Sequence, residues 1–235
     1  MKLLLSLLIA GKLGKVLLTG GSMLLSVVTY SFVYGWHYAV GAVGLLFAHE
    51  MGHFIAARQR NLDVGAPCFI PFVGAWISLK EQPMNAETEA YVGFAGPMLG
   101  SAASLVCFLA GRAEGSQLLL AVAYSGFVLN LFNLLPLSPL DGGRIVSVIS
   151  PRIWLLGAPL LVGLFLWKPS PLLVMIAIMA APNIVAVLRS WRQPSPDYYR
   201  APRSVRTAYT VQYLGLASLL AIMAFEVHEL LARPF

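Results

Sequence analysis

Charge is scarce in this chain. Of its 235 residues only 11% are charged while 58% are hydrophobic, and the mean hydropathy is +0.77. An ordinary soluble domain carries about 25% charged residues, so that class is excluded. Long polar sequence is lacking too. The longest such stretch, residues 190–207, is rich in proline and arginine and reads as a linker rather than a domain. Two cysteines, Cys68 and Cys107, are too few for a disulfide framework and sit in apolar surroundings, so they read as free thiols. No internal repeat is visible, which argues against a transporter built from inverted repeats.

What the chain has is apolar length. Stretches at 16–36, 38–57, 88–111, 116–136, 169–189 and 208–231 approach the roughly 20 residues needed to cross a hydrocarbon core, with a shorter piece at 153–167. The expected protein is therefore an all-α polytopic membrane protein of about six transmembrane helices. Residues 1–235 form a single membrane-embedded unit, with a core at about 38–150 and further membrane segments at 151–235. The opening "MKLLLSLLIAGKLGK" is like a signal peptide, but its apolar core is short and the lysines after it oppose export, so it reads as an uncleaved interfacial segment.

The net charge of +6 suggests a nucleic-acid partner until its placement is considered. Arg189, Arg192, Arg200, Arg203 and Arg206 crowd one loop, and Lys12 and Lys15 precede the first long span. These are positive-inside signals. With a cytoplasmic N-terminus, the span order returns Arg58, Arg60, Arg144, Arg152 and the arginine loop to the cytoplasmic side. The partner implied is the lipid bilayer and not nucleic acid, and the compartment expected is a bacterial-type plasma membrane. Trp36, Trp154, Trp167 and Trp191 lie near span ends and read as an interfacial belt.

One segment resists a helical reading. In "VGAPCFIPFVGAWISLKEQP", residues 64–83, Pro67, Pro71 and Gly74 break any helix, and the β-prone runs Cys68 to Phe72 and Ala75 to Leu79 flank a turn at Val73 and Gly74. A hairpin at membrane depth is tolerated only against protein or a water-filled cavity, so it should line something.

The costly groups lie in "VGLLFAHEMGHFIAARQRN", residues 43–61. His49 and His53, four residues apart on a helix, are separated by about 40° in angle and one turn in height, so they can share one metal ion. Glu50 projects about 100° from His49, which suits a base acting on water rather than a third ligand. This is the His-Glu-x-x-His arrangement of zinc peptidases. A single intramembrane histidine is ordinarily an interhelical hydrogen-bonding group, but three such groups at this spacing make a functional cluster. A catalytic zinc takes three protein ligands and keeps one position for water. His37 and His228 fall at outer span ends, which leaves a carboxylate, and Asp141 in "LNLFNLLPLSPLDGGRI", residues 129–145, is the candidate. Pro136 and Pro139 end the preceding helix, and Gly142 and Gly143 allow a tight turn that aims Asp141 inward.

His49-Glu50-Met51-Gly52-His53, followed by Asn133-Leu134-Leu135-Pro136 and Leu140-Asp141-Gly142-Gly143, resembles the site-2 protease family of intramembrane zinc metalloproteases. Gly96-Pro97 resembles that family's glycine-proline element. The resemblance covers residues 40–150. It implies a three-helix catalytic core holding one zinc ion (Zn2+) on His49, His53 and Asp141, with Glu50 as general base. Asn133 matches the asparagine thought to stabilise the oxyanion or hold the substrate backbone. The hairpin corresponds to the family's short re-entrant β-element, which assigns substrate presentation to Phe69 through Leu79. The implied substrates are transmembrane or signal-peptide-like protein segments. No PDZ or nucleotide-sensing domain fits between the spans.

Asn130, one turn before Asn133, reads as an interhelical hydrogen bond, and Gly93, Gly96, Gly100 and Ser104 as a close-packing stripe. Arg144 stands near Asp141, although cytoplasmic placement also accounts for it. The competing functional class is a membrane metal-binding protein or cation transporter. Glu50 and the absence of a ladder of further ligands distinguish the two classes.

Overall fold

The computed structural model describes residues 2–72, 74–76, 83–192 and 196–232. The protein is an integral membrane protein with five helices long and apolar enough to span a bilayer among the described residues. Helix α1 (Lys2–Tyr34) runs without interruption through the opening segment and joins it to the first apolar span in one 33-residue helix. Gly35, at a φ of 83°, breaks it from α2 (Trp36–Gln59). The small hairpin follows, then α3 (Ala86–Glu114), α4 (Gln117–Asn133), α5 (Asp141–Ile149), α6 (Trp154–Trp167), α7 (Pro171–Arg189) and α8 (Arg203–Ala232).

The helix ends have local causes. The Asn85 side chain accepts from Thr88 N at 2.8 Å to start α3, and Gly115 ends that helix with a φ of 66°, in the left-handed conformation that glycine tolerates. Ser116 caps α4 at once, so the turn between α3 and α4 is only Gly115 and Ser116. Helix α4 stops at Asn133, short of the expected 136, because Pro136 and Pro139 lie in the turn that reaches α5. Its 17 residues are about 26 Å long, and the 14 of α6 about 21 Å, both under the roughly 30 Å of a hydrocarbon core.

Helices α2, α3, α4 and α5 pack around the two histidines. Behind them α8 closes one core, in which Leu216, Leu220 and Val227 meet Phe127, Leu134 and Ile145. A second core joins Leu137 of the α4–α5 turn to Leu161 of α6 and to Leu173, Ile176 and Ala180 of α7. Side chains at one end of the bundle tie the segments together: Tyr198 donates to Glu89 at 2.7 Å, Arg152 donates to the Trp191 carbonyl at 3.0 Å, and Arg60 lies 4.2 Å from the Tyr91 ring centre. Burial, followed by the Glu89 carboxylate, pushes the Tyr198 phenol well above the ordinary tyrosine range.

The hairpin is present, and its first strand ends at Ile70 rather than at the expected Phe72. Strands β1 (Cys68–Ile70) and β2 (Gly74–Trp76) pair antiparallel with Phe69 opposite Ala75. Its turn includes Phe72 at a φ of 62°. The expected turn residue Val73, and Ile77 and Leu79 of the expected second strand, lie outside the described residues. Helix α1 anchors the hairpin from outside: Thr19 donates to the Pro67 carbonyl at 2.7 Å, Phe69 N to Ser22 Oγ at 3.1 Å, and Phe72 N to the Tyr30 hydroxyl at 3.0 Å.

The aromatic belt needs one correction. Trp36, Trp167 and Trp191 are exposed, but Trp154 is 7% exposed and its indole donates to the Gly143 carbonyl at 2.8 Å. It is a core residue that locks the start of α6 to α5. Cys68 and Cys107 are free thiols.

Candidate metal centre

His49, Glu50 and His53 are all buried on α2, on the side that faces α3, α4 and the start of α5. One turn of helix separates the two histidines, and the ring of each is held from behind. His53 Nδ1 lies 2.8 Å from the Val92 carbonyl on α3, and His49 Nδ1 lies 2.8 Å from Asn130 Oδ1 on α4. A carbonyl oxygen only accepts, so His53 Nδ1 carries the proton. The Asn130 amide nitrogen is committed to the Gly126 carbonyl at 2.7 Å, which turns its oxygen toward His49 and puts a proton on that Nδ1 as well. In each neutral ring the lone pair is therefore at Nε2.

Those two Nε2 atoms face one another at 3.1 Å, and Asp141 Oδ2 sits 3.1 Å from His49 Nε2 and 3.3 Å from His53 Nε2. With both rings neutral, three lone-pair atoms converge, a donor set suited to one cation. A tetrahedral ion with bonds of about 2.0–2.1 Å has ligands about 3.3 Å apart, and the triangle found here fits that spacing. His49, His53 and Asp141 are positioned to hold one metal ion.

Asp141 reaches the cluster as the first residue of α5. The neighbouring glycines act differently from the turn expected. Gly142 and Gly143 are helical, and a Cβ on either would run into backbone of the preceding turn, at Leu134 and Leu135 or at Leu137 and Ser138. Their lack of side chains lets that turn fold flat onto α5. The other carboxylate oxygen, Oδ1, faces Arg144 Nη1 at 3.9 Å. Arg144 therefore stands at the site and not merely at a membrane boundary.

The small-residue stripe on α3 is the counter-surface of the same site. A Cβ on Gly96 would overlap the His53 ring, one on Gly100 would overlap the Asn130 amide, and one on Gly93 would crowd the Arg144 Cβ. Across α2, Gly52 lies against the Ala95 carbonyl. Close helix packing is thus what presses the second layer of side chains onto the histidines.

A cavity of roughly 510 Å³ opens onto the cluster. His49, Glu50, His53, Asn133, Asp141 and Arg144 line its polar side, and the hairpin contributes Ile70, Phe72, Gly74 and Ala75. Tyr30 of α1 and Met175 and Met179 of α7 complete the wall. Every site residue expected from the sequence lines this one space, whereas His37 stacks on Trp36 and His228 lies tilted against Tyr124, neither of them on its wall. The sequence reading missed the Val92 carbonyl, which no side-chain pattern encodes. Asn130 makes the interhelical hydrogen bond expected of it, and its partner is the site histidine His49.

The model of a family described as Peptidase family M50 matches residues 37–115, which include both histidines, Glu50 and the glycine stripe. Among curated proteins, "Putative zinc metalloprotease Rip3" of Mycobacterium tuberculosis is 35% identical over 117 residues, covering 46% of this chain and 29% of that protein. "Zinc metalloprotease MJ0392" of Methanocaldococcus jannaschii is 28% identical over 106 residues, 43% of this chain and 30% of that protein. "Probable zinc metalloprotease EGY1, chloroplastic" of Arabidopsis thaliana is 28% identical over 156 residues, 46% of this chain and 28% of that protein. The chain thus spans under a third of the length of these relatives. The His-Glu-x-x-His helix and the glycine stripe thus lie in a region similar to Peptidase family M50, and the relatives matched over under half of this chain carry the name zinc metalloprotease.

Proposed function

We propose that this protein is an intramembrane zinc metalloprotease that hydrolyses a peptide bond in or near a membrane-spanning segment of another protein. The observation that carries the reading is the convergence of three lone-pair atoms beside a buried glutamate, in a cavity that is also lined by a strand.

His49, His53 and Asp141 would hold the zinc. When bound, the metal supplies Lewis acidity that polarises the scissile carbonyl and eases deprotonation of the attacking water. Glu50 takes the proton of that water as its oxygen bonds to the carbonyl carbon. It returns the proton to the departing amide nitrogen as the C–N bond breaks, so the glutamate ends the cycle as it began. Asn133, whose amide is a donor on the cavity wall, stabilises the oxyanion or holds the substrate backbone.

The substrate must arrive unwound, because a helical peptide bond is hydrogen-bonded and shielded. An edge strand accepts such a segment by strand addition. Phe69 N points away from β2 and donates to Ser22, so the outer edge of β1 is already engaged by α1. In an antiparallel pair the residue opposite Phe69 likewise turns its backbone groups outward, and that residue is Ala75, on the cavity wall. The outward edge of β2 at Ala75, on the cavity wall, is thus the place for the incoming chain.

The single-unit reading of residues 1–235 goes with this function. So does a cytoplasmic N-terminus, supported by the gathering of Arg60, Arg152 and the α7–α8 connection at one end of the bundle. Among the described residues the metal cluster is single, with no second set of ligands to form the path a cation transporter requires.

The identity of the substrate is testable in the native membrane. Quantitative comparison of membrane proteomes from cells carrying the wild type and Glu50→Gln should reveal full-length membrane-spanning proteins that accumulate only with the variant. Identical proteomes would remove the protease reading.

A further inference from the structure

We propose that Asn130 is a positioning residue for the metal centre, holding His49 in the tautomer and ring orientation that present Nε2 to the ion. The inference rests on the zinc reading above and concerns a residue outside the His-Glu-x-x-His and Leu-Asp-Gly-Gly elements.

Asn130 is 1% exposed and sits on α4, four residues beyond Gly126. Its amide nitrogen donates to the Gly126 carbonyl at 2.7 Å and its oxygen accepts from His49 Nδ1 at 2.8 Å. The alternative orientation of the amide is unfavourable. It would set Oδ1 against the Gly126 carbonyl, two acceptors at hydrogen-bond distance with no proton between them. The polarity of the chain Gly126 carbonyl, Asn130 amide, His49 ring is therefore determined by its first member, a backbone group that cannot change.

The consequence falls on His49. Its protonated Nδ1 leaves the lone pair at Nε2, and the ring plane is set by an acceptor that belongs to another helix. His53 obtains the same from the Val92 carbonyl. The two histidines are therefore oriented from opposite sides, His53 by α3 backbone and His49 by an α4 side chain. Only the second of these can be removed by substitution. Gly100 belongs to this arrangement: a Cβ there would overlap the Asn130 amide and push it off His49.

A purely structural role makes a different prediction. If Asn130 served only to join α4 to itself and to α2, loss of its donor would matter as much as loss of its acceptor. If it positions His49, the acceptor is the part that counts. Asn130→Asp keeps an oxygen acceptor for Nδ1–H but sets its second oxygen against the Gly126 carbonyl, a cost to folding that thermal unfolding reads separately from zinc affinity; Asn130→Leu, of similar size, loses both.

The experiment is a zinc titration of full-length protein, purified in detergent, stripped of metal, and read by competition with a chelating dye. Wild type, Asn130→Asp and Asn130→Leu are compared. Removal of a ligand's outer hydrogen-bond partner typically costs about 10–100-fold in metal affinity, and that loss is expected for Asn130→Leu. Asn130→Asp should stay within a few-fold of wild type or exceed it. Equal affinity of the leucine variant and wild type overturns the proposal, as does an equal loss in both variants. If Asn130→Leu does not fold, Asn130→Ala takes its place with the same two outcomes. Wild type that takes up no zinc at all would overturn the metalloprotease reading itself and the inference with it, whereas the other failures leave that reading standing.

Discussion

Gly96 on α3 abuts the imidazole of His53 on α2 so closely that a Cβ at Gly96 would overlap Nε2, the atom that faces Asp141. One methyl group placed there must displace either the ring or the helix. Gly96→Ala is expected to reduce zinc content and to destabilise the protein by about 1–3 kcal/mol through overpacking. Gly44→Ala on the same α2 helix, where the added atom meets nothing within 4 Å, should leave both unchanged. Zinc analysis and thermal unfolding of the two variants side by side check this.

His53→Ala and Asp141→Ala each remove one of three converging atoms. Both should lower the zinc-to-protein ratio of the purified protein well below that of wild type. Unchanged stoichiometry by elemental analysis would take the substituted residue out of the centre.

Substrate presentation can be separated from metal binding at Ala75. Its N–H points away from β1, so Ala75→Pro deletes an outward donor without removing a rung between β1 and β2. Turnover of a membrane-embedded substrate should fall by tenfold or more while zinc content holds. Equal turnover would contradict strand addition at this edge.

Trp154 joins α6 to α5 through the Gly143 carbonyl, two residues from Asp141. Trp154→Phe keeps most of the buried surface and leaves that carbonyl with its helical partner alone. Its cost should be about 0.5–1.5 kcal/mol in unfolding, the net value of one hydrogen bond, with zinc still bound. Denaturation followed by zinc analysis of the folded fraction tests both halves of that statement.

Much of the site was legible because its chemistry is costly in an apolar chain. His49, Glu50, His53 and Asp141 stand out in sequence for the same reason that they cluster in space: a membrane interior tolerates such groups only together. The hairpin was legible from Pro67, Pro71 and Gly74, though β1 stops at Ile70, before the end of its β-prone run, since the turn through Phe72 begins there. Trp154 was misread because proximity to a span end does not distinguish a side chain turned to the interface from one turned onto the next helix. The roles of Gly142 and Gly143 were misread for a related reason. A glycine needed for close approach and one needed for a turn look alike until the opposing backbone is known. The Val92 carbonyl belongs to every residue type and leaves no trace in sequence at all.

The central claim is that Glu50 moves the proton in a reaction whose metal is held by other residues. The direct measurement is cleavage of a membrane-embedded substrate by purified Glu50→Gln, with zinc content determined on the same sample. Near-wild-type zinc and a loss of at least about 100-fold in cleavage are expected, as when a general base is removed. A zinc-loaded Glu50→Gln that cleaves at the wild-type rate would contradict the claim.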